Sequence, residues 1–276
     1  MWRAALKSLL GRKLRLLMST FAIVLGVAFV AGSLIFSDTL SRSFTALFAS
    51  TVGDVVVRPV GGTTGAGTLS SLTVPASLLD ELEKAPGVAR VDGNVSAFGV
   101  YVVGKDGKVI GGLGPPALGV NYNDAPAAGG EGLELIEGKP PSGVAEVALD
   151  QATADKAGYE IGDSVELLTP RGDSKLSPTL VGLAGFPDGG SLNGATLAMF
   201  DTETSQALFL EGRDEYNDVW VTADEGVSQD ELRDAVAEVL PEEIEAVTGD
   251  DAADESASQL LEAVSFITTF LLIFAG

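Results

Sequence analysis

The sequence predicts an α+β protein: a transmembrane helix near the N-terminus, a large extracytoplasmic domain of two lobes, and the start of a second transmembrane helix at the C-terminus. Three observations support this prediction. A long uncharged stretch follows a basic segment, the charge changes sign along the chain, and two β-α-β patterns flank a region rich in short strands. Together they favour a split ferredoxin-like α/β lobe with a mostly-β lobe inserted into it.

The first element is an uncharged stretch of 22 residues, 16–37, between Arg15 and Asp38. As a helix it is about 33 Å long, which is enough to cross about 30 Å of hydrocarbon. A cleavable signal peptide has a shorter apolar stretch that is followed by small residues at its cleavage site. Here the small residues within 28–33 lie inside the apolar stretch, which continues through Leu34, Ile35 and Phe36. We therefore expect a retained transmembrane helix.

The N-terminal segment 1–15 sets the orientation of this helix. It holds five basic residues and no acidic one, with apolar residues between them, a pattern typical of an amphipathic helix at a membrane surface. Lys and Arg beside a transmembrane helix stay on the cytoplasmic side. The sequence therefore predicts a cytoplasmic N-terminus and an extracytoplasmic domain over residues 38–258.

The part of the chain after the first transmembrane helix is strongly acidic. Residues 38–276 hold 12 of the 17 basic residues and all 39 acidic ones, a formal balance of 12 − 39 = −27. Such a surface argues against nucleic-acid binding, which needs clustered Lys and Arg. The chain has no Cys and no His. The chain therefore cannot form disulfides, use a cysteine nucleophile or a histidine base, or bind a metal through Cys or His.

The first β-α-β pattern covers residues 53–98. It begins with the valine-rich strand GDVVVRPV. A helix follows, with Pro75 at its first position and Pro86-Gly87 beyond its end, as is usual at helix boundaries. The stretch VARVDGNVSAF at 88–98 then predicts the second strand.

The second β-α-β pattern lies more than a hundred residues further on. A strand at 218–223 leads into a helix in which Ser228 and Glu231 have the spacing of a capping box, with Val227 positioned to pack on Leu232. The stretch EEIEAVTG at 242–249 closes the pattern as a strand.

Between the two patterns, residues 99–212 are predicted to be mostly β. One hairpin turns at Asp106-Gly107 and a second turns within 170–174. Short helices are expected over 150–157 and 201–209, because each stretch begins with an Asp that can cap its first turn.

Residues 135–168, LIEGKPPSGVAEVALDQATADKAGYEIGDSVELL, and TLVGLAGF at 179–186 resemble the core of the MacB-like periplasmic domain of FtsX-like ABC transporter permeases. The shared pattern is a Gly and a Pro before a Gly-x-x-Glu-Val strand, a short helix ending in Gly, and a Gly-Asp turn into the next strand. Its positions here are Gly138, Pro140, Gly143, Glu146, Val147, Gly158, Gly162 and Asp163. The basic N-terminus, the first apolar stretch and the helix QDELRDAVAEVL fit as well, so the resemblance covers the whole chain.

The resemblance implies a porter-like lobe at 51–98 and 213–250 with the β-rich lobe 99–212 inserted. It also implies a permease subunit that forms a homodimer, or a pseudo-dimer with a second permease half, and pairs with a cytoplasmic ABC ATPase. In this family, ATP hydrolysis moves the outer domains for export or mechanotransmission. The sequence contains no P-loop. We therefore expect a non-catalytic membrane subunit without a cofactor, and ATP and Mg²⁺ on the partner ATPase.

Two stretches with helical spacing of apolar residues, 37–50 and 256–266, are predicted to be stalks between the domain and the membrane. The 14 uncharged residues of 263–276 are too few to cross a bilayer and suit the outer half of a second transmembrane helix. We therefore expect residues 259–276 to be a stalk and a truncated transmembrane helix. The resemblance implies three transmembrane helices after the outer domain, this truncated one and two more.

Other functions stay open from the sequence. A two-span receptor with an extracytoplasmic sensor domain shares every feature up to Gly276, and an anchored extracellular adhesion protein is a third interpretation. No catalytic, cofactor-binding or metal-binding residue is assigned. The motif RGD at 171–173 is interpreted as part of a hairpin, the sequon at 94–96 as unused, and the acidic stretch 249–255 as the start of a helix.

Overall fold

The computed structural model describes most of the chain after residue 52. The described residues are 53–62, 72–111, 116–123, 133–170, 175–186, 194–256, and singly Met18, Thr20, Phe21, Val24, Gly32, Leu192 and Ser258. Contacts divide the chain into two compact units, one of Met1–Phe44 with Leu260–Gly276 and one of Thr45–Gln259.

In the first unit, the five described residues are all helical. Within the described part of the chain, no helix has the length and hydropathy needed to cross a membrane. The other positions of the predicted transmembrane helix 16–37 lie outside the described residues. The same holds for the basic segment 1–15, the predicted stalk 37–50 and the C-terminal segment 259–276, so these predictions stay predictions.

The second unit contains sixteen described strands, most of them short. They are β1 (Val55–Pro59), β2 (Val74–Pro75), β3 (Val88–Asn94), β4 (Ser96–Phe98), β5 (Tyr101–Val103), β6 (Val109–Ile110), β7 (Ala117–Asn121), β8 (Glu134–Gly138), β9 (Glu146–Asp150), β10 (Glu166–Leu168), β11 (Lys175–Leu176), β12 (Thr179–Gly185), β13 (Thr196–Phe200), β14 (Glu215–Tyr216), β15 (Asp218–Ala223) and β16 (Ile244–Thr248).

The helices of this unit are short as well. A 3₁₀ turn, Ala76–Leu78, leads into the first α-helix, and the α-helices are α1 (Leu79–Leu82), α2 (Gln151–Ala157), α3 (Thr202–Phe209), α4 (Gln229–Ala237) and α5, described over 249–256. The mixture of strands and helices confirms the predicted α+β class.

One sheet is formed by strands from the two ends of the unit. Its order is β16-β1-β15-β3, and all its neighbours are antiparallel. Helices α1 and α4 cover one face, where a core forms that includes Val55, Val57, Leu82, Leu232 and Val236. Because side chains alternate along a strand, Val56 points to the other face and packs with Ala252 of α5. Strand β1 is therefore buried on both sides.

A six-stranded sheet lies in the middle of the sequence, in the order β4-β7-β13-β9-β12-β8. It is mixed, because β13 pairs with β7 and β12 with β9 in parallel. The sheet β11-β10-β5-β6 and helices α2 and α3 contribute to its main core, in which Phe200 and Phe209 meet edge to face with ring centroids 6.1 Å apart. The small sheet β14-β2 completes the described strands.

Local capping and turn signals in the sequence are confirmed. The side chains of Asp150 and Asp201 accept hydrogen bonds from backbone N–H groups three residues on, at the starts of α2 and α3. The Ser228 and Glu231 side chains form the expected capping box at α4. Strands β5 and β6 pair as the predicted hairpin around Asp106-Gly107.

Two predictions need correction in detail. Pro75 ends β2 and precedes the 3₁₀ turn, so it stands one position before the helix that it was expected to begin. The strand expected over 88–98 is two strands, β3 and β4, which belong to different sheets and are separated by Val95. The alternation of residue types continues through this crossing, so the sequence gives no sign of it.

Candidate functional site

The first candidate site is the corner of the four-stranded sheet where both ends of the domain meet. Strand β1 is the first described strand and β16 is the last, and the two pair side by side with Val55 opposite Thr248. Helix α5 begins directly after Thr248. The chain that leads into the domain and the chain that leaves it are therefore neighbours at this corner.

The backbone is tightly packed at the start of α5. The Gly249 N–H donates to the Asp54 carbonyl oxygen at 2.7 Å, and a Cβ at Gly249 would lie 2.3 Å from the Gly53 carbonyl oxygen. Only glycine allows this approach. The Thr248 hydroxyl accepts from the Asp251 N–H at 3.2 Å, which satisfies a donor of the first helical turn.

Arg58 connects the sheet with α5. This side chain on β1 is only 5% exposed, and its Nε donates to Glu245 of β16 at 2.9 Å while Nη1 lies 2.6 Å from Glu255 of α5. Burial lowers the pKa of Arg58, but the hydrogen bonds to Glu255 and Glu245 outweigh it, so that the pKa lies above its ordinary value. The guanidinium therefore stays charged and holds two elements with one side chain.

Apolar contacts hold the other side of α5. Ala252 is fully buried against Val56, with Trp220 and Val247 packed around them. The Asp250 N–H also donates to the Gln229 side chain at 3.2 Å, which connects α5 to the start of α4. Helix α5 is thus fixed to the sheet by the ion pair of buried Arg58 with half-exposed Glu255, a close glycine contact and an apolar patch.

The second candidate site is the polar crossing between the two large sheets at Val95. Asn121 at the end of β7 accepts a hydrogen bond from the Val95 N–H at 2.8 Å and donates to the Gly93 carbonyl oxygen at 2.8 Å. Asn217 accepts from the Ser96 N–H at 2.8 Å. These side chains replace the ladder partners that the backbone lacks where the chain changes sheet.

Asn94 and Asp218 complete this crossing. The Asn94 Nδ2 donates to the Asp218 carboxylate at 2.9 Å, and both side chains are buried. Asn94 is the acceptor residue of the sequon at 94–96, and burial of its amide agrees with the interpretation that the sequon is unused. The Asn123 side chain adds a weaker contact to Asn94 at 3.3 Å.

The structure places the other sequence motifs as follows. The acidic stretch at 249–255 lies within α5 and is helical, as predicted. The RGD motif at 171–173 falls outside the described residues. The sequence predicted no role for Arg58, although one signal was available. A single Arg within the valine-rich strand VVVRP is expected to be buried with that strand, and a buried Arg is normally paired with an acidic residue. Asn121 carried no such signal.

Comparison with known proteins identifies the family. The family model of the MacB-like periplasmic core domain matches residues 16–239. Because this match covers far more than half of the chain, it establishes the family on its own. A comparison with curated proteins gives no match.

Solved structures that match this chain include a periplasmic region and an extracellular domain of transporters. The periplasmic region of MacB from Actinobacillus actinomycetemcomitans has 16% identity and a TM-score of 0.47 over 72% of this chain and 91% of its own. The extracellular domain of the ABC-type transporter YknZ from Gram-positive bacteria has 12% identity and a TM-score of 0.46 over 70% and 99%. A domain of a putative permease from Porphyromonas gingivalis has 15% identity and a TM-score of 0.44 over 72% and 89%. From the match of the family model, the chain belongs to the MacB-like periplasmic core domain family, the outer domain of MacB-like ABC transporter permeases.

Proposed function

We propose that this chain is a permease subunit of an ABC transporter of the FtsX and MacB type. A partner ATPase hydrolyses ATP in the cytoplasm, and the chain converts this into movement of its extracytoplasmic domain, for export or for mechanotransmission. The partner ATPase binds ATP and Mg²⁺, and the chain itself is non-catalytic. It works as a homodimer or as a pseudo-dimer with a second permease half, with its N-terminus in the cytoplasm of a bacterial cell.

The observation that carries this proposal is the corner where both ends of the domain meet. Two stalks that rise from the membrane side by side would enter the domain at this corner, one before β1 and one through α5. The contact of Gly249 with Gly53 and Asp54, together with the Arg58 ion pairs, holds α5 against the sheet. A displacement of the stalks would then move the four-stranded sheet as a unit.

The order of strands in the four-stranded sheet supports the proposed division into two lobes. The strand and helix order β1-α1-β3 and β15-α4-β16, with the sheet order β16-β1-β15-β3, is that of a ferredoxin-like lobe. We assign residues 51–98 and 213–250 to this porter-like lobe and 99–212 to the inserted β-rich lobe, except that β4 (Ser96–Phe98) pairs with β7 of the six-stranded sheet and so goes with the inserted lobe. The crossing at Val95 then connects the two lobes. The stalks move the porter-like lobe, and the inserted lobe meets partners or cargo.

Co-purification from the native bacterium tests the proposal. The full chain carrying an affinity tag, extracted in mild detergent, is expected to bring down an ATPase with a P-loop and to show ATP turnover. Recovery of a kinase or cyclase in its place would contradict the proposal and favour the receptor alternative.

Hydrogen exchange on the same complex tests the coupling. Addition of a non-hydrolysable ATP analogue is expected to change amide exchange in 53–58 and 249–256 of the wild-type chain. In an Arg58→Met variant the ATPase should still co-purify, because it binds on the cytoplasmic side, while the exchange response in 53–58 should shrink. An ATPase that co-purifies without any response of either segment would refute the coupling and leave the subunit assignment standing.

A further inference from the structure

Strand β8 forms one edge of the six-stranded sheet. In the described part of the chain it pairs with β12 on one side only, through residues 134, 135, 137 and 138. Its other side therefore carries backbone N–H and C=O groups that no described strand pairs with, which is the arrangement that accepts an added strand. The strand is accessible, because Glu134, Glu137 and Gly138 are exposed and Ile136 is 45% exposed.

A β-bulge arranges the side chains of this edge. Glu137 is opposite Leu183 and Glu134 is opposite Gly185, while the register shifts between them and leaves Ile136 without a partner. Opposite residues in adjacent strands point to the same face of a sheet, and Leu183 and Gly185 are two apart. Glu134 and Glu137, although three apart, therefore share one face, and Ile136 packs beside them against the Gly185 backbone.

Among the described residues, no neighbouring cation neutralises the charge of this edge. The nearest following cation, Lys139, is 2.7 Å from Glu146 and so is already paired. Neither Glu134 nor Glu137 forms an ion pair with any other described residue. A second copy of this acidic chain would bring carboxylates against carboxylates, which disfavours pairing of β8 with itself.

We propose that the outer edge of β8 binds an extended, cationic segment of a partner protein as a seventh strand of the six-stranded sheet. The backbone supplies ladder hydrogen bonds, and Glu134 and Glu137 select Lys or Arg at alternate positions of the partner strand. Ile136 lies on the same face and contacts the methylene stems of these Lys or Arg side chains. This inference is independent of the ATPase and of the direction of transport.

The test uses the full chain in non-ionic detergent and a blocked octapeptide of alternating Lys and Val. The peptide is expected to slow amide exchange within 134–138, and its affinity is expected to fall as salt rises. A peptide of the same sequence, N-methylated at alternate residues, keeps the charge but cannot form the ladder and should give no protection. Equal binding of both peptides would overturn the proposal.

Variants of the chain test the charge selection. Glu134→Gln with Glu137→Gln should weaken binding of the Lys-Val peptide about three- to tenfold, the effect of two exposed ion pairs. The matched control is Glu238→Gln with Glu242→Gln, which removes the same charge from exposed positions near α4 and should change affinity less than about twofold. Equal losses in the two double variants, or protection at another strand, would show general attraction to an acidic surface and refute the site.

Discussion

The Asn121→Ala substitution tests whether the polar crossing holds the two large sheets together. Asn121 is 6% exposed, and its amide bonds the Val95 N–H and the Gly93 carbonyl at 2.8 Å each. Alanine removes both partners and leaves a buried donor unsatisfied at a place that water reaches poorly. An unsatisfied buried group costs about 1–3 kcal/mol, and the second lost bond adds about 1 kcal/mol. We expect the free energy of unfolding to fall by about 2–4 kcal/mol.

Urea unfolding of the unit 45–259 measures this change. Trp220 is the only tryptophan in that unit, so its fluorescence reports on the four-stranded sheet, while circular dichroism reports on all strands and helices. The control is Asn123→Ala, whose amide makes bonds of 3.2 and 3.3 Å to Asn121 and Asn94 and should cost less than about 1 kcal/mol. An Asn121→Ala loss below about 0.5 kcal/mol, or one equal to that of the control, would refute the reasoning.

Three further predictions concern the cores and caps. Leu232→Ala should lower the free energy of unfolding by about 2–5 kcal/mol, because the Leu232 side chain of α4 is fully buried against the sheet. Its control, Val239→Ala at a partly exposed position, should lower it by less than about 1 kcal/mol. Ser228→Ala should cost about 1 kcal/mol by urea unfolding and Ser228→Asp much less, since Asp also caps. Burial raises the pKa of Asp150, and this outweighs the hydrogen bonds from Thr153 and Leu197. The contribution of this group to the free energy of unfolding is therefore fully present below the ordinary pKa of Asp and is lost as pH rises through the raised pKa. In urea unfolding measured from pH 3 to 7, Asp150→Asn should therefore make the fall of the free energy of unfolding with pH less steep. An unchanged slope would contradict the pKa assignment.

The sequence predicted local structure well because local signals act over a few residues. Asp150 and Asp201 begin helices, the Ser228 and Glu231 pair forms its capping box, and the turn at Asp106-Gly107 closes a hairpin. In each case the side chain caps a backbone N–H group, or the residue adopts a turn conformation, within three positions of itself. Such signals survive in any tertiary context that keeps the element.

Partners that are distant in sequence could not be predicted from one sequence. The Arg58 side chain meets Glu245 across 187 positions and Asn94 meets Asp218 across 124. The crossing at Val95 depends on Asn121 and Asn217, which are ordinary polar residues until the sheets bring them together. The parallel pairing of β13 with β7 has no periodic pattern to reveal it either. These features depend on topology, which hydrophobic periodicity does not encode.

The two candidate sites are connected through one row of the four-stranded sheet. Arg58 is opposite Glu245, and Asp218 is opposite Asn94. Since Val57 is opposite Val219, continuing that register by one residue places Arg58 and Asp218 side by side on the same face. The polar row therefore crosses all four strands, from Glu255 of α5 at one end to the Val95 crossing at the other. Apolar contacts tolerate sliding, but charge-assisted hydrogen bonds fix both distance and direction. Such bonds hold Arg58 of β1 to Glu245 and Glu255, and Asn94 of β3 to Asp218 of β15, so they fix α5 against β1 at one end of the row and β3 against β15 at the other.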